Sequence, residues 1–117
     1  MQTFDAKGSA LTPILFIKIY GIARKLAPPR FLTMRLNKDR YDELYKCAEP
    51  EESIQLGSTA GPLGTVVMRV HCVRPPLGVA DGIAIKIDPK MEPDELVFER
   101  HGQIEFVVEN LAHNASD

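Results

Sequence analysis

The sequence predicts a small, β-rich α+β domain with a mixed or antiparallel sheet and one short helix, preceded by a basic segment of a different character. Three observations predict it. Apolar residues alternate with period two in the second half of the chain, a helical spacing follows Asn37, and the charges are segregated along the sequence. At 117 residues, 44% hydrophobic and 26% charged, the chain has the size and composition of one ordinary globular domain, not of a disordered one.

From Ala6 to Lys38 there is no acidic residue, and Lys7, Lys18, Arg24, Lys25, Arg30, Arg35 and Lys38 give a net +7. From Asp39 to Asp117 there are seven basic and 15 acidic residues, a net −8 that the overall −2 conceals. The contrast predicts a basic amphipathic segment over 1–33 and the β-rich domain over 34–117. Within the first, Thr12 can cap a helix that starts at Pro13, runs to about Ala27 and stops at Pro28 and Pro29. Its apolar run is too short and too often interrupted by Lys18, Gly21, Arg24 and Lys25 to span a bilayer, which takes roughly 20 apolar residues. Nor does it have the uninterrupted apolar core of a secretory signal. The segment reads as an organelle-targeting presequence, a helix lying on an anionic membrane surface through 13–27, or an upstream extension of a frame that starts at Met34. An edge strand through Ile17, Ile19 and Ile22 is a further reading.

In the domain, Asn37 can cap a short helix with Tyr41, Leu44, Tyr45 and Ala48 on one face, Leu36 and Tyr41 as a hydrophobic staple, and Pro50 closing it. Gly57, Gly61, Pro62 and Gly64 mark a loop. Thr65 to Val73 reads as a strand, with Val66, Met68, Val70 and Cys72 on one face. Pro75, Pro76, Gly78 and Gly82 break the chain before a strand through Ile83, Ile85 and Ile87. An acidic turn from Glu92 to Glu95 leads to Leu96, Val97 and Phe98. Gly102 then separates these from the clearest amphipathic strand, with Ile104, Phe106 and Val108 alternating with Gln103, Glu105 and Glu109.

The series MRVHC, then glycine, then IAIKID, then EPDELVFERHGQIEFVVENL resembles the central part of the A-type iron–sulfur carrier proteins, the HesB-like family, over Met34 to about Leu111. The resemblance implies a HesB-like fold, a non-enzymatic role in iron–sulfur cluster biogenesis, and Cys72 as the residue matching the family's first cysteine, hence the cofactor-binding and metal ligand for an iron–sulfur cluster or iron. Two features depart from the family pattern. Val73, Arg74, Pro75 and Pro76 follow Cys72 where the family has glycines, and the family's later Cys-x-Cys has no counterpart.

Read from the residues alone, Cys72 shares an apolar strand face, the usual setting of a small core residue. His71 is adjacent and so points to the opposite face. Cys47 lies beside the buried face of the short helix, His101 in a hairpin turn and His113 in a polar tail. A cysteine enzyme would need His71 or His101 within hydrogen-bond reach of Cys72. One chain supplies too few ligands for a closed four-ligand site, so a cluster would be shared across a homodimer. Glu92, Asp94, Glu95, Glu99, Glu105 and Glu109 read as a solvated acidic face. The glycines of 57–64 lack the lysine of a phosphate-cradling loop. The −8 of the domain argues against nucleic-acid binding, which only the N-terminal stretch could support. Two cysteines 25 residues apart form no disulfide framework and point to a reducing compartment, the cytoplasm, or an organelle matrix if 1–33 is a targeting segment. The expectation is therefore a HesB-like carrier of clusters or iron, not an enzyme. The alternative is a metal-free module of the same fold whose acidic sheet face binds a protein partner.

Overall fold

A computed structural model describes residues 2–58, 65–76 and 81–112, and along 51–58 and 65–70 it describes the backbone. Seven strands form one mixed sheet: β1 (Gln2–Asp5), β2 (Thr33–Leu36), β3 (Glu49–Ser58), β4 (Thr65–Arg74), β5 (Ile83–Ile87), β6 (Leu96–Arg100) and β7 (Gln103–Glu109). Their spatial order is β1-β7-β6-β2-β5-β4-β3. The β1/β7 and β2/β5 pairs are parallel and the other four antiparallel. Two helices, α1 (Pro13–Leu26) and α2 (Lys38–Cys47), complete the β-rich α+β fold that the alternation and the helical spacing predict. No helix among the described residues is long and apolar enough to cross a membrane.

Both helices form as their caps dictate. Thr12 Oγ1 accepts the Leu15 amide at 3.2 Å with Pro13 in the first turn, and Asn37 Oδ1 accepts the Asp39 amide at 2.9 Å. Asn37 works twice, because its amide nitrogen also donates to the Met91 carbonyl at 2.8 Å and ties the start of α2 to the β5–β6 connection.

The basic segment is not an appendage, and the boundary expected at Met34 falls inside β2. Phe16, Ile19, Tyr20 and Ala23, at i, i+3, i+4 and i+7, are buried in the same core as Met34, Leu36, Phe98, Phe106 and Val108. Tyr20 donates its hydroxyl to the Asp81 carbonyl at 2.6 Å, and β1 pairs with β7. Burial of a large apolar side chain contributes about 1.5–3 kcal/mol, whereas a cation near an anionic lipid surface gains about 1 kcal/mol. The stripe is taken up by the sheet and so is not open to a bilayer, while the cations remain outside. The edge strand through Ile17, Ile19 and Ile22 is a helix for the same reason.

Three strands lie where none was expected, the first being β1 at the other edge of the sheet. Thr33–Leu36 is a central strand with Met34 and Leu36 fully buried, so Leu36 fills the core from the sheet. Glu49–Ser58 is one of the two outer strands, and Pro50 is tolerated there because an edge leaves one side of the backbone without a ladder. β3 and β4 pair over ten rungs, but β4 meets β5 only at Cys72 and Val73, so most of this hairpin extends past β5. Of the loop expected from Gly57 to Gly64, Gly57 instead lies in β3 opposite Val66, because the ladder with β4 runs through it. The expectations for the rest of that loop beyond Ser58, for Gly78 and His113, and for the facing of Val66, Met68 and Val70 concern positions or side chains outside those described.

The β6–β7 hairpin turns through His101 and Gly102, with φ of 51° and 80°. Two consecutive left-handed residues suit the twist of a two-residue hairpin. A register shift at Phe98/Glu99 adds a bulge, so that Glu99 faces Ile104 while Phe98 still stacks on Phe106 at a ring-centroid distance of 5.4 Å.

One buried charge crosses the core. Arg40 on α2 is 2% exposed and donates through Nε to the Pro93 carbonyl, through Nη2 to the Ala112 carbonyl, and through Nη1 to Glu43 Oε2 at 2.5 Å. Truncation would leave two carbonyls and a carboxylate without their donor. Arg40→Ala is expected to destabilise the protein by about 3–5 kcal/mol, read as the shift in urea midpoint; a loss below about 1 kcal/mol would show that the guanidinium is dispensable.

Candidate functional site: the helix-free face of the sheet

Alternation divides the sheet into two faces. On one, Val73, Ile83, Met34, Leu36, Leu96, Phe98, Phe106 and Val108 meet the helices in a single core. On the other, the register sets Cys72 beside Ala84, Ala84 beside Thr33, Thr33 beside Glu99 and Glu99 beside Ile104, a line across β4, β5, β2, β6 and β7. Cys72 is thus outside the helix-side core although its neighbour Val73 is in it. Its residue is nevertheless 4% exposed. His71, exposed, falls on the opposite face, as adjacency on a strand requires.

Ion pairs occupy this face. Arg35 Nη1 meets Glu99 Oε1 at 2.9 Å and its Nε lies 3.8 Å from Asp88 Oδ2, leaving Nε buried without a hydrogen bond. Arg74 pairs with Glu49 at 3.1 Å, and Arg100, one residue after Glu99 on β6 and so off its face by alternation, pairs with Glu105 at 3.0 Å. The expectation of an acidic face is corrected accordingly: Glu99 and Glu105 are matched by arginines, because β2 and β6 each set a cation within cross-strand reach of a carboxylate. Such half-exposed pairs are worth about 0.2–1 kcal/mol each, so they fix side-chain positions more than they stabilise the fold. Glu92, Asp94 and Glu95 lie away from them in the β5–β6 connection, where the Asp94 carbonyl accepts the Leu111 amide.

At the β6–β7 turn the face changes character. Phe31, in the 3-10 turn Pro29–Phe31 before β2, is 47% exposed, and Ile104 is 41% exposed. The Phe31 ring lies 6.4 Å from the His101 ring, and the Arg30 guanidinium sits over it at 5.0 Å from the centroid. Phe31 comes just before β2 and His101 just after β6, so both lie at the end of the strands that carry Thr33 and Glu99. Two exposed apolar side chains, Phe31 with Arg30 over its ring and Ile104 opposite Glu99, thus lie toward the β6–β7 turn. The sequence reading did not single out Phe31; it lies in a 3-10 turn just outside β2, where no strand period marks its facing.

Cys47 is a different case. It is buried in the helix-side core on α2, its thiol directed at the Leu44 carbonyl at 3.4 Å, and the sheet separates it from Cys72. Burial raises its pKa from 9.0 to about 11. Among the described residues, no three His, Cys, Asp or Glu side chains come together to hold a metal ion. No protein-family model matches the chain, and no curated protein or solved structure does either.

The Cys47 shift predicts a pH dependence. The thiol of the unfolded chain ionises near 9.0 and the folded one near 11, so the folded state holds a proton that the unfolded state has lost. This contribution is complete below pH 9 and disappears as the pH rises through 11. Tyr45 follows the same sign higher up, from 10.0 to about 12, through burial and its hydrogen bond with Tyr41. In urea titrations the wild-type midpoint should fall from about pH 9 upward, and in Cys47→Ala the fall should begin about one unit later. Superimposable pH profiles would refute the assignment.

Proposed function

We propose that this protein is a non-enzymatic interaction module that receives a protein partner on the helix-free face, anchored at Phe31 and Ile104. The observation that carries this reading is an exposed aromatic ring with an arginine over it, and an exposed isoleucine toward the same end of an otherwise ion-paired face. Aromatic and arginine side chains are the groups that dominate protein interfaces, and the fixed charges beside them supply register to a complementary surface. The partner is accordingly a protein with an apolar cleft flanked by carboxylates. A photocrosslinking residue at position 104, compared with one at position 14 on α1, locates the contact, and the captured protein is then titrated in purified form. Phe31→Glu together with Ile104→Glu should weaken binding roughly thirtyfold or more while leaving the thermal midpoint near that of the wild type. Equal crosslinking from both positions, or unchanged affinity in the double variant, would reject the docking face.

A second reading has its own observation, that Cys72 belongs to the helix-free face at the rung where β4 parts from β5. Together with the HesB-like resemblance, this supports a carrier of an iron–sulfur cluster or iron as cargo, in a reducing compartment such as the cytoplasm. One copy brings a single thiolate to that face, short of the four ligands a cluster requires, so a second copy would supply the remainder. Anaerobic reconstitution of the full chain beside Cys72→Ala decides it. The carrier binds iron and sulfide with visible absorbance, and Cys72→Ala loses both; a colourless wild type removes the carrier reading.

A further inference from the structure

Beyond Phe31, Arg35, Arg40, Arg74 and Arg100 each meet a carboxylate, and the exposed Lys38, Lys46, Lys86 and Lys90 have acidic residues within three positions in the sequence. On α1, Lys18, Arg24 and Lys25 are exposed, and no ion pair among the described residues involves them. The sequence around them, from Ala6 to Lys38, contains no acid that could neutralise them locally. Helical geometry sets Ile14, Lys18, Gly21 and Lys25 in one stripe, at i, i+4, i+7 and i+11, with Arg24 beside it. This stripe lies opposite the buried Phe16, Ile19, Tyr20 and Ala23. At its N-terminal end Ile14 is 80% exposed, the most exposed large hydrophobic residue described. Gly21 leaves the middle of the stripe low, since a side chain there would meet nothing within 4 Å.

We propose that the outer face of α1 docks the protein on an anionic lipid surface, with Lys18, Arg24 and Lys25 against the headgroups and Ile14 entering the headgroup–acyl boundary. Uncompensated positive charge selects an anionic occupant. The exposed Ile14 selects a lipid surface over a nucleic acid, because a phosphodiester backbone offers an isoleucine nothing to bury against and the stripe carries no aromatic ring to stack on bases. The docking is peripheral. The apolar stripe of α1 is committed to the sheet, so the helix rests on the surface through its charged side without embedding its apolar one. Attachment of this kind is weak, reversible and governed by ionic strength.

The full chain is tested by co-sedimentation with phosphatidylcholine vesicles made with and without phosphatidylglycerol. Binding should require the anionic lipid and weaken steeply as salt is raised. Lys18→Gln with Lys25→Gln should lower the partition coefficient roughly thirtyfold, from about a fivefold effect per cation, and Ile14→Ser should weaken it further without altering the salt slope. These positions are exposed, so the circular dichroism spectrum and thermal midpoint of each variant should match the wild type. Absence of binding to the anionic vesicles at low salt would overturn the proposal. So would binding that the lysine substitutions leave unchanged, or retention by a single-stranded oligonucleotide with none by vesicles.

Discussion

The guanidinium of Arg40 is the group around which the chain closes. A buried cation must have its donors satisfied or it costs several kcal/mol, and here the acceptors come from three separate places: Glu43 on the same helix, Pro93 in the β5–β6 connection and Ala112 beyond β7. Fixing Ala112 fixes more than the end of β7. Its amide donates to the Ser9 carbonyl, the Gly8 amide donates to Asn110 and the Ala6 amide to Glu109, so the segment that leaves β1 is held along the segment that leaves β7. Asn110 closes the arrangement by donating to Asp5, which together with the Lys7 amide holds that carboxyl below its ordinary pKa. The entry to α1 is thereby set, and with it the layer that covers the core.

The elements legible in the sequence were those with a local cause. α1 and α2 carry their caps and stripes, and the period-two alternation of β5 and β7 is visible without any partner. β2 was missed because four residues hardly show a period, and Leu36 before a cap equally suits a staple. β3 was missed because Glu-Pro-Glu-Glu has no strand character of its own; ten rungs with β4 impose its conformation. The charge boundary misled for a related reason. Segregated charge describes the outside of a protein, and α1 hides an apolar stripe between its cations that only the sheet reveals. Of the candidate site, the opposite facing of His71 and Cys72 was legible from adjacency. That the helices would take the Val73 side was not, because Cys72 and Val73 are both buried and the strand's own sequence does not say which face receives a second layer.

The two faces of the sheet answer different physical demands. The helix-side face is nearly all apolar, and its stacked Phe98 and Phe106 lie under α1 and α2 in one continuous core. The other face has no helix to bury against, and β2 and β6 place on it an arginine and a glutamate that satisfy each other. A polar sheet face is the ordinary solution for a two-layer fold. What departs from it is the apolar end at Phe31 and Ile104, where hydration of the exposed side chains is a cost that a partner would remove.

The docking surface on α1 and the anchor at Phe31 and Ile104 do not compete for space. The outer side of α1 points away from the sheet across the core, and Phe31 and Ile104 belong to the sheet face that points in the other direction. A chain resting on a lipid surface through Lys18 and Lys25 would therefore hold its helix-free face toward water. The segregation of charge then has a mechanical consequence: the uncompensated cations orient the molecule, while the internally paired charges on the far face remain indifferent to the lipid and free to meet a protein. Raising the ionic strength should act on the first surface long before the second, since the second is anchored by apolar contact.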